Sequence, residues 1–265
     1  MAVTKARTGP ALPRVPASTV LAYYLTSYRR TWRAGLFSSF FLPTLMVVGF
    51  GLGVGSYVDQ GVDGVSYLHW LVPGLLASTA VQVAALESTF PVFSGFQWSK
   101  IYFGQYAAPL RVGDIVTGHL AFVLFRVLTA GTAFLLVTAA FGALRSVWAL
   151  AVLPVLALLT LALAAPIFAY SAWAPTDTYL TILSRLAVLP MMLFAGVFFP
   201  VESLPVVLRQ VAYLSPLWHA VDLCRAATLG IAPQWSIPGH LLYLAGWGLG
   251  GWFLACRAFR RRLVV

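Results

Sequence analysis

The 265-residue chain is 60% hydrophobic and only 9% charged. A soluble domain carries about 25% charged residues because its surface faces water, so this composition excludes a soluble globular protein and indicates lipid surroundings. The formal net charge of +10 would favour nucleic-acid binding in a soluble protein. Here the basic residues concentrate at the two chain ends, a pattern typical of membrane orientation, and we expect no nucleic-acid partner. These residues are Lys5, Arg7, Arg14, Arg29, Arg30, Arg33, Arg257, Arg260, Arg261 and Arg262.

The N-terminal part divides into two predicted segments. Residues 1–17 contain three prolines and no hydrophobic period, which predicts a disordered basic arm. Residues 18–34 place aromatic side chains on one helical face and arginines on the others, which predicts an amphipathic helix lying in the membrane interface. A helix that packs on a partner is the alternative. The apolar face consists of Leu21, Tyr24, Leu25, Tyr28 and Trp32.

Six later segments are candidates for membrane spans, each of which needs about 20 mostly apolar residues. They are 35–57, 70–93, 115–141, 147–172, 182–199 and 239–256. Short connections separate the first four, so we predict one membrane domain over 35–265. The predicted fold class is an all-α integral membrane protein with six transmembrane helices.

Loop charges predict the orientation of these spans, because basic loops stay in the cytoplasm. The loop 58–69 is acidic without Lys or Arg, which places it outside, whereas the loop 94–114 is basic, which places it inside. The short turn 142–146 contains Arg145 and is the one exception. Both termini are therefore predicted to be cytoplasmic. The charges that decide this are Asp59 and Asp63 outside, and Lys100 and Arg111 inside.

The fifth span is short and is followed by an unusual connection. Only sixteen uncharged residues separate Arg185 from Glu202, and Pro190 interrupts them. The stretch 203–230 is too polar for a span and too apolar for an ordinary loop. Ser203-Leu-Pro205 predicts a helix start with proline in the first turn, and Pro216 predicts a second helix that ends at Gly230. We predict two short re-entrant helices that dip into the outer leaflet, sheltered by the bundle.

Three ionisable residues fall inside predicted spans: Glu87 in the second, and His119 and Arg126 in the third. Such residues are functional candidates by default. Glu87 is either the coupling site of an ion-driven transporter or the partner of Arg126 in a pair that fixes two spans together. The pair is the favoured interpretation, because no second carboxylate lies within a span to complete a proton relay.

Glycines recur at small-xxx-small spacing in two predicted spans, a pattern that permits close helix packing. The spacing does not distinguish packing within one subunit from packing between subunits. The glycines are Gly49, Gly51, Gly53, Gly55, Gly246 and Gly250.

No catalytic or metal-binding motif is present in the sequence. It lacks G-x-x-x-x-G-K-[ST], G-x-S-x-G, H-E-x-x-H and C-x-x-C. Its four histidines are scattered among different segments, and we expect them to be hydrogen-bonding residues and not metal ligands. Cys224 and Cys256 are predicted to be small apolar residues on opposite membrane faces. The chain is therefore predicted not to be an enzyme and to hold no cofactor of its own.

Two segments near the fifth span resemble the type-2 permeases of ATP-binding-cassette exporters, in the branch of the nodulation lipo-oligosaccharide and daunorubicin exporters. They are FAGVFFPVESLP at 194–205 and PLWHAVDLCR at 216–225. The segments LESTF at 86–90 and APLRVGDIVTG at 108–118 resemble the second span and following loop of the nodulation-exporter branch, so the resemblance covers roughly 20–260. His119 stands where that branch commonly has an acidic residue.

The resemblance implies two paired permeases, identical or homologous, with two separate ATPase subunits beneath them that bind ATP and Mg²⁺. It also implies that the interfacial helix and the loop 95–114 meet the ATPases. Aromatic and arginine anchors suit such an interface, although a segment resting on lipid headgroups would have the same composition. The predicted docking residues are Trp98, Lys100, Tyr102, Tyr106, Arg111 and Arg30.

The resemblance further implies that the helices after the fifth span form an outer gate. His219, Asp222 and Arg225 follow one another at i, i+3 and i+6, so adjacent members can touch. Our hypothesis is a hydrogen-bonded lock near the exit path; a helix-stabilising network without a gating role is the alternative. The gate signature consists of Gly196, Pro200, Pro205, Pro216, His219, Asp222 and Arg225.

The implied function is ATP-driven export of an amphipathic or hydrophobic molecule, such as a drug-like compound or a lipid-linked glycan, across a bacterial cytoplasmic membrane. An ion-coupled secondary transporter centred on Glu87 is the alternative. A membrane enzyme acting on lipids would need convergent polar groups, and Asp177, Glu202 and Asp222 form no evident set.

Overall fold

The computed structural model describes residues 16–53, 64–142 and 146–264. Within these ranges the chain is helical and contains no β-strand, which confirms the all-α class. The α-helices of this part of the chain are α1 (Ala17–Met46), α2 (Tyr67–Ser88), α3 (Phe90–Gln97), α4 (Ile101–Ala107), α5 (Val112–Ala140), α6 (Val152–Trp173), α7 (Asp177–Leu183), α8 (Leu189–Phe194), α9 (Val206–Tyr213), α10 (Pro216–Leu229) and α11 (Ile237–Leu263). Short π-helical segments lie at Val47–Gly53 and Ser184–Val188, and 3-10 turns at Val147–Ala151 and Val201–Ser203.

Several predictions concern residues outside the described ranges. These are the basic arm as far as residue 15, the acidic loop residues Asp59 and Asp63, Arg145 and Gly55. They remain predictions.

Four helical stretches in the described chain are long and apolar enough to cross a membrane. They are Tyr67–Gln97, Val112–Ala140, Trp148–Trp173 and Asp177–Phe194, which contain most of the second to fifth predicted spans. The last predicted span falls in α11. The first covers the end of α1 and the π-helical segment Val47–Gly53, and its residues 54–57 lie outside the described ranges. The 27 residues of α11 extend about 40 Å at 1.5 Å per residue, enough to cross the hydrocarbon core.

The core of the bundle is built around α6, which packs against α2, α5, α10 and α11. At the crossing of α6 and α11, a Cβ on Gly251 would lie only 2.4 Å from Pro166 Cδ, so the two helices approach too closely for a larger residue. Several large side chains in this core are fully buried, namely Trp70, Phe134, Phe168, Phe259, Leu156 and Leu159.

Helix α1 joins two elements that the sequence analysis separates. The predicted interfacial helix 18–34 and the start of the predicted span 35–57 form one uninterrupted helix from Ala17 to Met46. The helix continues past residue 34 because the sequence there contains no proline, and the single Gly35 costs a helix only about 1 kcal/mol. The aromatic face of α1 packs on α5, where Tyr24 stacks on His119 at 4.2 Å between ring centroids.

Within this chain, the glycines of α11 that pack closely differ from the predicted pair, and packing of that pair between subunits stays a prediction. A Cβ on Gly246 or Gly250 would meet no atom within 4 Å, and the same holds for Gly49 and Gly53 in the π-helical segment after α1. Gly248 instead faces Leu161 of α6. A spacing pattern fixes only which residues share a helical face, and the neighbouring helix decides which face is used.

The connection between α8 and α11 contains the two predicted short helices. Pro216 is at the start of α10, and Gly230 ends this helix with a left-handed φ of 71°, as predicted. Helix α9 starts slightly later than expected: Pro205 is its N-cap and not part of its first turn, and Ser203 lies in the preceding 3-10 turn.

Candidate functional site

The segment 98–111, which contains the turn between α3 and α4, presents most of the predicted docking residues to the outside. Lys100 has a left-handed backbone conformation with φ of 50°, which turns the chain sharply between the two helices. Trp98 is 62% exposed, and Lys100, Tyr106 and Arg111 are exposed as well. These four side chains are therefore available to another subunit or to lipid headgroups.

Tyr102 departs from the prediction, because its side chain is fully buried and unavailable for docking. Its hydroxyl lies 2.7 Å from His119 Nδ1, and its ring packs against Phe96 and Phe259. Burial raises the pKa of Tyr102 above its usual value near 10, so the hydroxyl stays protonated. Tyr102 connects the exposed turn to α5 and, through the ring of Tyr24 stacked on His119, to α1.

Arg30 also differs from the prediction, because it lies away from the other predicted docking residues. It is exposed on α1, but the neighbouring Tyr28 packs against Phe125 and lies under Arg126 of α5. Arg126 is about 22 Å along α5 from Arg111, at 1.5 Å per residue. The structure therefore does not bring Arg30 to the turn that contains the other docking candidates.

The candidate gate helix α10 holds a buried polar chain that the sequence analysis predicts only in part. His219 Nδ1 lies 2.8 Å from Nδ1 of His240, which belongs to α11. His240 Nε2 lies 3.0 Å from Asp222 Oδ2, a contact that becomes an ion pair when the imidazole is protonated. Asp222 also accepts from the backbone N–H of Gln234. His240 thus bridges two of the three residues of the predicted lock.

The hydrogen-bond partners of His219 determine which nitrogen atoms of His219 and His240 carry protons. His219 Nε2 faces the carbonyl oxygen of Tyr213 at 3.1 Å, and a carbonyl only accepts, so Nε2 carries the proton. Burial, followed by the neighbouring His240, lowers the pKa of His219 to about 4, so the ring is neutral at pH 7 and its Nδ1 accepts. The shared proton therefore belongs to His240 Nδ1.

Arg225 joins α10 to the segment around Gly196 and to α2. Its guanidinium donates to the carbonyl oxygen of Gly196 and lies 3.7 Å above the ring of the buried Trp70 in α2. Gly196 has φ of +77°, and a Cβ there would lie 2.8 Å from Val201 Cγ2. The position thus requires glycine for both backbone and packing reasons.

Two of the intramembrane polar residues form the pair expected from the sequence. Arg126 Nε donates to Glu87 Oε1 at 3.0 Å, and the two side chains are about one-fifth exposed. His119, the third, is buried and bonded to Tyr102. Glu87 therefore already has a cationic partner within the chain.

His240, Trp70 and Gln234 belong to this site but were not predicted from the sequence. His240 and Asp222 are eighteen positions apart in the sequence, and no local spacing rule relates residues on two different helices. A polar residue near a predicted span end was the only available signal. Across the described ranges, no group of three or more His, Cys, Asp or Glu side chains could hold a metal ion.

An all-helical chain with several apolar spans and paired intramembrane charges defines a multi-pass membrane protein. Residues 17–229 match the family model of the ABC-2 type transporter, and the chain belongs to this family. It is the transmembrane permease subunit of an ATP-binding-cassette exporter in a bacterial inner membrane, and ATP hydrolysis takes place in a separate subunit.

Curated relatives named nodulation protein J are similar over most of the chain. The protein of Rhizobium leguminosarum bv. viciae is 32% identical over 222 residues, which cover 84% of this chain and 85% of the relative. That of Rhizobium leguminosarum bv. trifolii is 31% identical over 238 residues, or 90% of each chain. That of Bradyrhizobium diazoefficiens is 29% identical over 238 residues, again 90% of each.

Proposed function

We propose that this permease exports an amphipathic molecule of the lipid-linked glycan or drug-like class, driven by ATP and Mg²⁺ bound in partner ATPases. The similarity to nodulation protein J over 84–90% of the chain carries this proposal. The branch that these relatives represent, resembled at residues 194–225, includes lipo-oligosaccharide exporters. An amphipathic substrate also suits a path lined by the apolar spans and the polar chain of α10.

We propose six spans with both termini in the cytoplasm. Helices α1 and α11 would supply the spans beyond the four apolar stretches. The end of α11 carries Arg257, Arg260, Arg261 and Arg262. Lys100 precedes α4 and Arg111 precedes α5. Because α5 and α11 run antiparallel, these basic residues lie at the same end of the bundle, which supports placing that end in the cytoplasm.

A second permease is proposed to pack on the fifth span. Only 6% of the span Asp177–Phe194 is buried within the chain, against 50–72% for the other three apolar stretches. Its outward side chains include Leu186, which is 74% exposed, and Leu189. A span that contacts so little of its own bundle gains most from a partner, whether a second copy or a homologous permease.

The ATPase is proposed to dock on the segment 98–111, through Trp98, Lys100, Tyr106 and Arg111. Large exposed aromatic and arginine side chains are typical anchors of protein interfaces. Tyr102 would then act from inside, since its bond to His119 links the docked turn to α5. Movement of the ATPases would thereby reach the spans through a buried contact.

The gate is proposed to lie at α9 and α10, with the chain Asp222–His240–His219 as its lock. This chain joins α10 to α11, and Arg225 joins α10 to the segment around Gly196. Breaking these contacts would free α10 from two neighbours at once. Asp222→Asn distinguishes a gate from a purely structural network. If these residues form a gate, the variant assembles and hydrolyses ATP but does not export. If the network is structural, the variant fails to assemble.

The experiment that tests the function is affinity purification of the tagged permease in mild detergent, followed by reconstitution. We expect a stoichiometric ATPase subunit and ATP-dependent movement of an acylated oligosaccharide into inverted vesicles. Trp98→Ala/Lys100→Ala should release the ATPase. Trp148→Ala, at a tryptophan that is 72% exposed in the 3-10 turn before α6, should not. Transport driven by an ion gradient without any ATPase would overturn the proposal in favour of coupling through Glu87.

A further inference from the structure

Two cavities adjoin at the basic end of the bundle and share Trp252 as a wall. The first, of about 750 Å³, lies between the start of α5 and the end of α11. The second, of about 610 Å³, continues between α5, α6 and α11. The first is lined by Tyr106, Leu110, Arg111, Trp252, Arg257 and Arg260. The second is lined mainly by Leu120, Leu124, Leu158, Leu161, Leu249 and Trp252.

The first cavity carries three positive charges that form no ion pair within the part of the chain that the structure describes. Arg111, Arg257 and Arg260 are exposed at its wall. A guanidinium presents a planar fork of donors that matches a phosphate in bidentate geometry. The cavity is therefore suited to an anionic group with several oxygen atoms.

The second cavity is almost entirely apolar and runs away from the charges. Its wall extends from Thr117 to Leu124 along α5 and from Leu244 to Trp252 along α11, which is about 10–12 Å at 1.5 Å per residue. That length is about two-thirds of one leaflet of a hydrocarbon core about 30 Å thick. Its apolar composition suits part of a hydrocarbon chain lying along the helices.

Trp252 is fixed at the boundary between the two cavities. Its indole N–H donates to Thr117 Oγ1 at 3.0 Å, which holds the ring between α5 and α11. Tryptophan is enriched where headgroups meet hydrocarbon, because its ring is apolar and its N–H is polar. The charged cavity thus lies at headgroup level and the apolar cavity below it.

We propose that these cavities form one binding site for an anionic phospholipid of the membrane, with the phosphate in the basic cavity and one acyl chain in the apolar groove. Basic pockets between membrane helices on the cytoplasmic side favour such headgroups. A soluble anion would leave the groove unused, and a docked protein would not enter it. The bound lipid would be a structural component that packs between α5, α6 and α11.

The test uses native mass spectrometry of the purified full-length permease with phosphatidylglycerol and phosphatidylcholine as probes. We expect retention of phosphatidylglycerol, preferred over phosphatidylcholine by on the order of tenfold. Arg257→Gln/Arg260→Gln should abolish the preference, and Arg257→Lys/Arg260→Lys should keep part of it. Arg261→Gln is the matched control, because Arg261 is an exposed neighbour that does not line the cavity.

The groove is tested separately with Ala245→Trp, which fills it, and with Leu242→Trp on the 73% exposed outer face of α11 as control. Only the first should release the lipid. Arg257→Gln/Arg260→Gln could lose the preference for phosphatidylglycerol while Ala245→Trp still retains the lipid fully. That result would mean that only surface charge attracts the lipid, and it would overturn the proposal. Release of the ATPase in place of the lipid by Arg257→Gln/Arg260→Gln would overturn it in favour of a docking surface.

Discussion

Arg126 lies between Glu87 and Tyr28 and thereby holds three helices together. Its Nε donates to Glu87 Oε1 at 3.0 Å, which ties α5 to α2. Its Cζ lies 4.7 Å from the ring centroid of Tyr28, which ties α5 to α1 as well. Because a charge inside a membrane is costly without a partner, this arrangement satisfies both ionised groups and fixes the register of the helices.

We expect Glu87→Gln to preserve ATP-driven export, because the amide oxygen still accepts from Arg126. Glu87→Leu should lower stability by about 2 kcal/mol, since a hydrogen bond to a charged group is lost and Arg126 is left unpaired. Thermal unfolding in detergent and vesicle export assays measure the two effects. A glutamine variant that unfolds normally but no longer transports would contradict the structural role and revive the ion-coupled alternative.

Tyr102→Phe should destabilise the permease by about 1–2 kcal/mol, because it leaves the buried Nδ1 of His119 without its partner. The matched control is Tyr106→Phe in the same helix, where the hydroxyl is on an exposed ring, and it should change stability by less than about 0.5 kcal/mol. Equal effects of the two substitutions would show that the Tyr102–His119 bond contributes nothing.

Stability should fall on acidification through the titration of His219. Its pKa is about 4 in the folded protein, lowered by burial and by His240 from the usual value near 6.5. Between these values the unfolded chain binds a proton that the folded chain does not, so stability decreases as the pH falls from 6.5 to 4. The unfolding temperature of His219→Gln should decline less than that of the wild type over this window. Parallel curves for the two proteins would remove His219 as the cause.

Gly196→Ala should cost about 1–3 kcal/mol, because the left-handed backbone is strained for alanine and the new methyl group meets Val201. Gly104→Ala is the control, since α4 leaves open space around Gly104 and alanine favours the helix by about 0.5–1 kcal/mol. Stability measurements on both variants decide the matter. An unchanged Gly196→Ala variant would mean that the turn at 196 adapts.

The permease pair should be detected by bismaleimide cross-linking at Leu186→Cys, in a background with Cys224 and Cys256 replaced by serine. We expect a covalent dimer from this position on the fifth span, because it faces away from its own bundle. Leu242→Cys, equally exposed on α11, should remain monomeric. A dimer from Leu242→Cys alone would move the interface to α11.

Much of the architecture follows from the sequence because hydrophobic length and local helix signals are properties of consecutive residues. The apolar stretches mark α2, α5, α6 and the α7–α8 segment, and Pro216 and Gly230 mark the ends of α10. The pair of Glu87 and Arg126 was predictable as well. The predicted spans contain few charged residues, so each of these two had few other partners of opposite charge.

The tertiary structure alone decided which residues meet between distant helices. From the sequence, Tyr102 was predicted to be an exposed aromatic anchor. In the structure, Gly95 leaves room for its ring in the core, and its hydroxyl forms a hydrogen bond with His119. His240 completes the polar chain of α10 from another helix, and Gly248 and not Gly246 faces α6. A periodic pattern defines the faces of one helix, whereas the rotation and depth at which two helices pack depend on every side chain between them.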